Sequence, residues 1–260
     1  SYFTGLNLNY SGQKFASSTK LFYAETENNY KFHNTTKIGS PYENQVNSNS
    51  SNKGLMQNFM VLLSKKDRLS ASIWVQDAFN RYPPMMTAST NKEKDKNFIF
   101  RNVIQWCSSH KNVDFNTKAG YFQNTQKYRN PGISDTSNHY SNSWILESEA
   151  IIKLKENHSL EAGVNINNEQ VTSTNYPATK SRIRPASSIT YKYSDKTGKL
   201  EFYSGLREEM IDRETNPITW SVGTRVKLSQ RIIIRGNISR NYRIPDMNDL
   251  FWAGYKSKGN

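Results

Sequence analysis

Four histidines, one cysteine and two neighbouring glutamates are the residues through which this chain could make or break bonds. His33, His110, His139 and His158 lie far apart, two in short polar turns and two in long polar stretches. None has the His-x-x-x-His or His-x-x-Glu spacing that brings ligands to one metal ion. A lone Cys107 excludes a disulfide framework and a Cys-rich metal site, and at the end of an apolar run it reads as inert. Glu147 and Glu149 share a strand face at i, i+2, close enough for an acid–base dyad. A hydrated strand face carries such a pair without catalysis, and that reading is preferred. With no Gly-x-Ser-x-Gly elbow and no phosphate-binding loop, the chain is expected not to be an enzyme and to hold no cofactor and no metal.

Binding is the remaining chemistry. Aromatic rings give wide, rigid contacts, and arginine recognises anionic groups in a fixed fork. Tyr30, Tyr42, Arg81, Tyr82, Tyr128, Arg129, Tyr176 and Trp252 fall in long polar connections, where they are candidates for ligand contact. Packing of the connections themselves is an equal alternative for each.

The elements that would position these residues are strands. Val113-Asp114-Phe115-Asn116-Thr117-Lys118-Ala119-Gly120-Tyr121 alternates Val, Phe, Thr, Ala, Tyr with Asp, Asn, Lys, Gly, and side chains alternate faces on a strand. The same period of two recurs in 160–167, 218–228 and 144–154. In 14–24 and 55–63 it leaves the faces unassigned. Twelve strands are expected, at 2–10, 14–26, 55–63, 68–80, 97–107, 113–124, 140–154, 159–171, 182–193, 199–212, 217–228 and 231–242. Many exceed the ordinary length of about 5–6 residues and reach the roughly 9–11 that cross a bilayer at a tilt. Short connections, such as Ser11-Gly12-Gln13 and Ser229-Gln230, alternate with mostly longer ones at 27–54, 81–96, 125–139, 172–181, 213–216 and from 243 onward. Outer-membrane barrels keep short turns at the periplasmic rim and longer loops at the extracellular one.

Composition agrees. Among 260 residues, 35 Lys and Arg face 22 Asp and Glu, a net charge of +13. The hydrophobic share is only 35%, yet 15 Tyr, 12 Phe and 5 Trp exclude a disordered chain. No apolar run approaches the roughly 18 residues of a membrane helix. Strands wet on one face and lipid-facing on the other reconcile these facts. Trp74, Arg101, Lys118, Glu147, Glu149, Glu161, Arg184, Glu201, Arg207, Arg225 and Arg235 are expected to face a polar lumen, where their charges cost little. Tyr10, Tyr140, Trp144, Tyr191, Tyr193 and Trp220 lie near strand ends, as interfacial aromatic girdles require.

Residues 235–252 carry one ordered motif. A strand runs through Ser239 to Tyr242-Arg243-x-Pro245, followed by Asn248-Asp249-Leu250-Phe251 and Trp252. This resembles the Ser-x-x-Tyr/Phe-Arg-x-Pro…Asn-Asp-Leu-Tyr/Phe segment of TonB-dependent outer-membrane receptors. In that family a Gly-Asn-Pro element usually comes next, and the sequence ends at Gly259-Asn260. The motif's residues are expected to fold a loop, with Pro245 ending the ladder and Asn248 and Asp249 turning the chain.

The resemblance implies an all-β, antiparallel transmembrane barrel of about 22 strands. Residues 1–260 would be about 12 of them, an incomplete, open curved sheet from which the plug domain and the closing strands are missing. It also implies a bacterial outer-membrane location and TonB-energised uptake of a scarce nutrient, cobalamin or a ferric siderophore. The partners would be the TonB–ExbB–ExbD complex through the plug, the bilayer with its lipopolysaccharide, and a small-molecule nutrient, with no nucleic acid. A passive porin-type barrel shares the strand pattern, and a soluble basic β-rich binding module is suggested by the charge. Start and finish, Ser1 without an initiator Met and Asn260 inside the motif's loop, are expected to mark a segment of something longer.

Overall fold

The computed structural model describes residues 1–88, 91–131, 135–254 and 257–258. Its strands are β1 (Tyr2–Ser11), β2 (Phe15–Thr26), β3 (Lys31–His33), β4 (Tyr42–Asn44), β5 (Ser50–Leu62), β6 (Asp67–Arg81), β7 (Lys94–Ser109), β8 (Val113–Asn130), β9 (Asp135–Lys155), β10 (His158–Ser173), β11 (Lys180–Ser194) and β12 (Leu200–Ile211). After them come β13 (Glu214–Thr215), β14 (Thr219–Lys227), β15 (Ile233–Arg240), the short helix α1 (Met247–Phe251), β16 (Ala253–Gly254) and β17 (Ser257–Lys258).

One 13-stranded antiparallel sheet holds the long strands in the order β1-β2-β5-β6-β7-β8-β9-β10-β11-β12-β14-β15, with β13 on β12 alone. Every long strand pairs with its neighbour along the chain, the up-and-down meander of a barrel wall. The sheet is open: β1 and β15 are its edges, exposed along their whole lengths. The two-stranded ribbon β3–β4 sits inside the connection between β2 and β5.

The register divides the side chains into two sets. One row passes through Leu6, Leu21, Leu55, Val75 and Phe100. Further along, the same face carries Ala119, Leu146, Ile166 and Pro185. This apolar face leaves Leu146, Val164, Ile189 and Leu206 exposed, as it would for hydrocarbon to cover. Tyr10, Tyr191 and Tyr193 stand on it near the short turns, and Tyr140, Trp144 and Trp220 stand on it toward the long connections. The opposite face is polar. Among the described residues few are buried, and they form no dry core between two layers.

Each of the twelve expected strands exists, and the largest differences lie at the rim of the long connections. β5 begins at Ser50 rather than 55, and β7 at Lys94 rather than 97. The stretch 125–139, expected to be a loop, is mostly strand: β8 runs on to Asn130 and β9 starts at Asp135. Tyr128 and Arg129 therefore lie on a strand and not in a loop, as do Arg81, the last residue of β6, and Tyr42, the first of β4. Beyond the apolar band both faces meet water, so the pairing continues while the alternation that reveals it fades.

Candidate functional site

The polar face of the sheet, together with the chain that folds onto it after β15, forms the candidate site. Trp74, Arg101, Lys118, Glu147, Glu149, Glu161, Arg184, Glu201, Arg207, Arg225 and Arg235 all stand on this face by register. Toward the short turns they form separated pairs. Arg225 Nη1 donates to Glu201 at 2.6 Å, Lys192 bonds Glu161, and Lys118 lies 3.9 Å from Glu147. These pairs are partly exposed, so each contributes little on its own.

Toward the long connections the charges condense into one network. Arg182 is 9% exposed. Its Nε and Nη2 donate to Glu169 Oε2 at 2.9 and 2.6 Å. Arg184 Nη2 donates to the other oxygen of Glu169 at 3.2 Å. Arg184 Nη1 lies 3.6 Å from Glu209, and Arg207 Nη2 lies 3.5 Å from the same carboxylate. Alternation at i, i+2 places Arg182 beside Arg184, and Arg207 beside Glu209, on one face. A network of this kind tolerates burial because each charge has a partner.

Residues 241–253 dock on this network. Arg182 Nη1 donates to the Pro245 carbonyl at 2.8 Å, and the Tyr242 hydroxyl donates to Glu209 at 3.2 Å. Burial, the charge of Glu209 and that hydrogen bond all raise the Tyr242 phenol above its ordinary pKa. Asp246 caps α1 in a reciprocal box with Asp249: Asp249 N donates to Asp246 at 2.8 Å and Asp246 N donates to Asp249 at 3.1 Å. Tyr176, only 8% exposed, donates to Asn248 and meets the Phe251 ring edge-on at 6.3 Å. Lys180 Nζ lies 4.7 Å over the same ring. Of the motif, Tyr242, Pro245, Asn248 and Phe251 thus hold the strap to the sheet. Arg243 only approaches Asp249, at 3.6 Å, with 84% of its side chain exposed. Ser239 stands on the edge strand, and Leu250 lies within α1.

Between strap and wall lies a cavity of about 440 Å³ lined by Arg101, Phe122, Ser143, Glu169, Arg182 and Met247, among others. Arg101 stacks over the Trp74 ring at 4.9 Å, and the Trp74 indole N–H is buried with no acceptor among the described residues.

The aromatic and arginine candidates of the long connections separate into distinct places. Tyr82 and Tyr128 face each other at 6.4 Å on the polar side. Arg81 and Arg129 stand on the opposite face, where Arg81 stacks on Phe79 at 5.8 Å. Tyr30 precedes β3 and Tyr42 opens β4; both are exposed, and the Tyr42 ring stacks on His33 at 4.9 Å across the β3–β4 connection. Asn34, 1% exposed, pins that connection by donating to the Met86 carbonyl at 2.8 Å and to Glu43 at 2.9 Å. Tyr176 is buried under the strap, and Trp252 is half-buried. The residues sequence reasoning missed are Glu169 and Arg182. Both sit on the wet face of an amphipathic strand, but nothing in the pattern marks them as the strap's anchor. No three His, Cys, Asp or Glu come together to hold a metal among the described residues.

No protein-family model matches the chain, and no curated protein matches it. Solved structures do. The ferric enterobactin receptor PfeA of Pseudomonas aeruginosa, as its G324V mutant, superposes with a TM-score of 0.74 at 11% identity over 95% of this chain and 42% of that one. The FrpB iron transporter of Neisseria meningitidis gives 0.74 at 8% identity over 94% and 44%. The siderophore receptor PirA of Pseudomonas aeruginosa gives 0.65 at 13% identity over 94% and 43%. The chain spans about two fifths of the length of these structures. At such identities the likeness is one of fold: the sheet has the architecture of the barrel wall of TonB-dependent outer-membrane receptors.

Proposed function

We propose, from the premise of that barrel wall, that this chain is part of an outer-membrane receptor that imports a scarce nutrient with energy from the TonB–ExbB–ExbD complex. The carrying observation is the two-faced sheet: hydrocarbon-compatible side chains on one surface, and on the other an ionic wall onto which 241–253 folds. The strap, held on the polar face by Arg182 and Glu209, offers a surface to a ligand or a plug.

A ferric chelate is the preferred cargo, because PfeA, FrpB and PirA are described as receptors or transporters of iron or siderophores. Cobalamin is the second cargo of the same class. Tyr82, Tyr128, Tyr30, Tyr42 and Trp252 remain the contact candidates, together with the Trp74–Arg101 pair facing the lumen. The barrel does no bond chemistry in this reading. Arg81, Lys94, Lys96, Lys127 and Arg129 project from the lipid-side face beyond the apolar band, where they suit the phosphates of lipopolysaccharide.

The full-length protein, expressed in an outer membrane of a host lacking its own siderophore receptors, tests the proposal. Uptake of a radio-iron-labelled siderophore that disappears when tonB is deleted is the expected result. Uptake of small solutes that ignores tonB would favour a porin-type pore, and TonB-dependent uptake of cobalamin alone would move the cargo.

A further inference from the structure

At the upper end of β6, β7 and β8 the polar face carries a grid of oxygen-bearing side chains with a buried acid at its centre. Asp95 pairs in register with Asn80 on one side and Tyr128 on the other. Asn97, two residues along β7, pairs with Ala78 and Gln126. Tyr82 N donates to the Glu93 carbonyl at 3.2 Å, which carries the same pairing one step further and brings the Glu93 and Tyr82 side chains to this face. Glu93 accepts from Asn130 at 2.7 Å.

Among the described residues, the cations of these strand ends stand on the other face. Arg81, Lys94, Lys96, Lys127 and Arg129 occupy the alternate positions, so the pleat turns them to the other side of the sheet. Asp95 is 4% exposed, and among the described residues it forms no ion pair. Its Oδ1 is buried and meets no donor, and the same holds for Asn97 Oδ1. A carboxylate out of water without a counter-charge is among the costliest things a protein can bury. The surroundings are electronegative: burial first, then the charges of Asp95 and Glu93, push the Tyr82 phenol above its ordinary pKa.

We propose that Asp95 and Asn97 hold a hard divalent cation of the calcium class on this inner face. The donors are all oxygen, which selects such a cation over zinc or copper. Asp95 supplies the charge, Asn97 a carbonyl, and Glu93 and Asn80 stand near enough in register to contribute, with water completing the six to eight oxygens such an ion takes. Two carboxylates at most give a weak site, in the ~10⁻⁴–10⁻³ M range of extracellular calcium modules. The bound ion would tie the 82–93 connection to the sheet. This holds whether the barrel is a receptor or a porin.

The test uses the full-length protein in detergent after chelator treatment, with terbium as the probe and calcium as competitor. Saturable terbium luminescence sensitised by Tyr82 and Tyr128, displaced by calcium in the low millimolar range, is expected. Asp95→Asn should weaken calcium competition by about tenfold or more and Asn97→Ala by several-fold. Asp77→Asn, on the opposite face, should change nothing. Calcium should also slow hydrogen exchange in 82–93 of the wild type and have less effect in Asn97→Ala. Absence of saturable binding, equal affinity in Asp95→Asn, or, if that variant does not fold, an unchanged Asn97→Ala would overturn the proposal.

Discussion

Arg182 donates one N–H of its guanidinium to the backbone carbonyl of Pro245, 63 residues away, while two others grip Glu169. One buried side chain thus joins two strands of the wall to the strap that follows β15. Charge-assisted bonds of this kind contribute about 1.5–3 kcal/mol each when buried. Replacing Arg182 with Ala should loosen the strap by about 2 kcal/mol, raising its opening about thirtyfold. Hydrogen exchange and limited proteolysis at 244–252 of the full-length protein check this, and unchanged protection would remove Arg182 as the anchor.

Alkali should release the same strap. The Tyr242 phenol has its native pKa raised by burial and by Glu209, and Tyr176 is raised by burial and Asp246. A raised native pKa gives a contribution that is complete below the unfolded value near pH 10 and lost as pH climbs through the native one. Strap protection should therefore hold at neutral pH and fall in strong alkali. Tyr242→Phe should lower protection at neutral pH and reduce the alkaline loss, leaving the part due to Tyr176.

Adjacent residues should respond oppositely to the same change. Val164 lies on the apolar face and Asn165 on the polar one. Val164→Arg should destabilise the full-length protein in lipid vesicles by about 2–4 kcal/mol, as an arginine does near the bilayer midplane. Asn165→Arg should cost far less. Denaturant unfolding reads both, and equal losses would contradict a lipid-facing surface.

Gly54 is a close approach, and Gly236 is not. A Cβ at Gly54 would fall 2.5 Å from the Phe22 ring and 2.9 Å from the Val75 carbonyl, whereas at Gly236 nothing lies within 4 Å. The ring is the far end of a side chain and can shift, but the backbone carbonyl belongs to the ladder and cannot. Gly54→Ala should cost about 1–3 kcal/mol, as overpacking does, and Gly236→Ala should be nearly neutral. Relieving the ring with Phe22→Ala should recover only part of the loss in the same unfolding measurement.

Sequence alone determined the strands and, outside 14–24 and 55–63, their two faces, because a wall between hydrocarbon and water writes a period of two into most segments that cross it. That is why Arg101, Glu147 and Arg225 were assignable to one surface, and Trp144 and Trp220 to the other, without coordinates. The signal stops where hydrocarbon stops. Above the apolar band β8 and β9 pair through Tyr128 and Ser137 with both faces wet, and composition there reads as loop. Only the tertiary structure decided that 241–253 folds inward. Its anchor, Arg182, is an ordinary wet-face arginine until register sets it beside Glu169 and long-range folding brings Pro245 to it. The same holds for Asp95, whose burial without a cationic side chain among the described residues follows from three strands meeting in one register, a relation that no local pattern encodes.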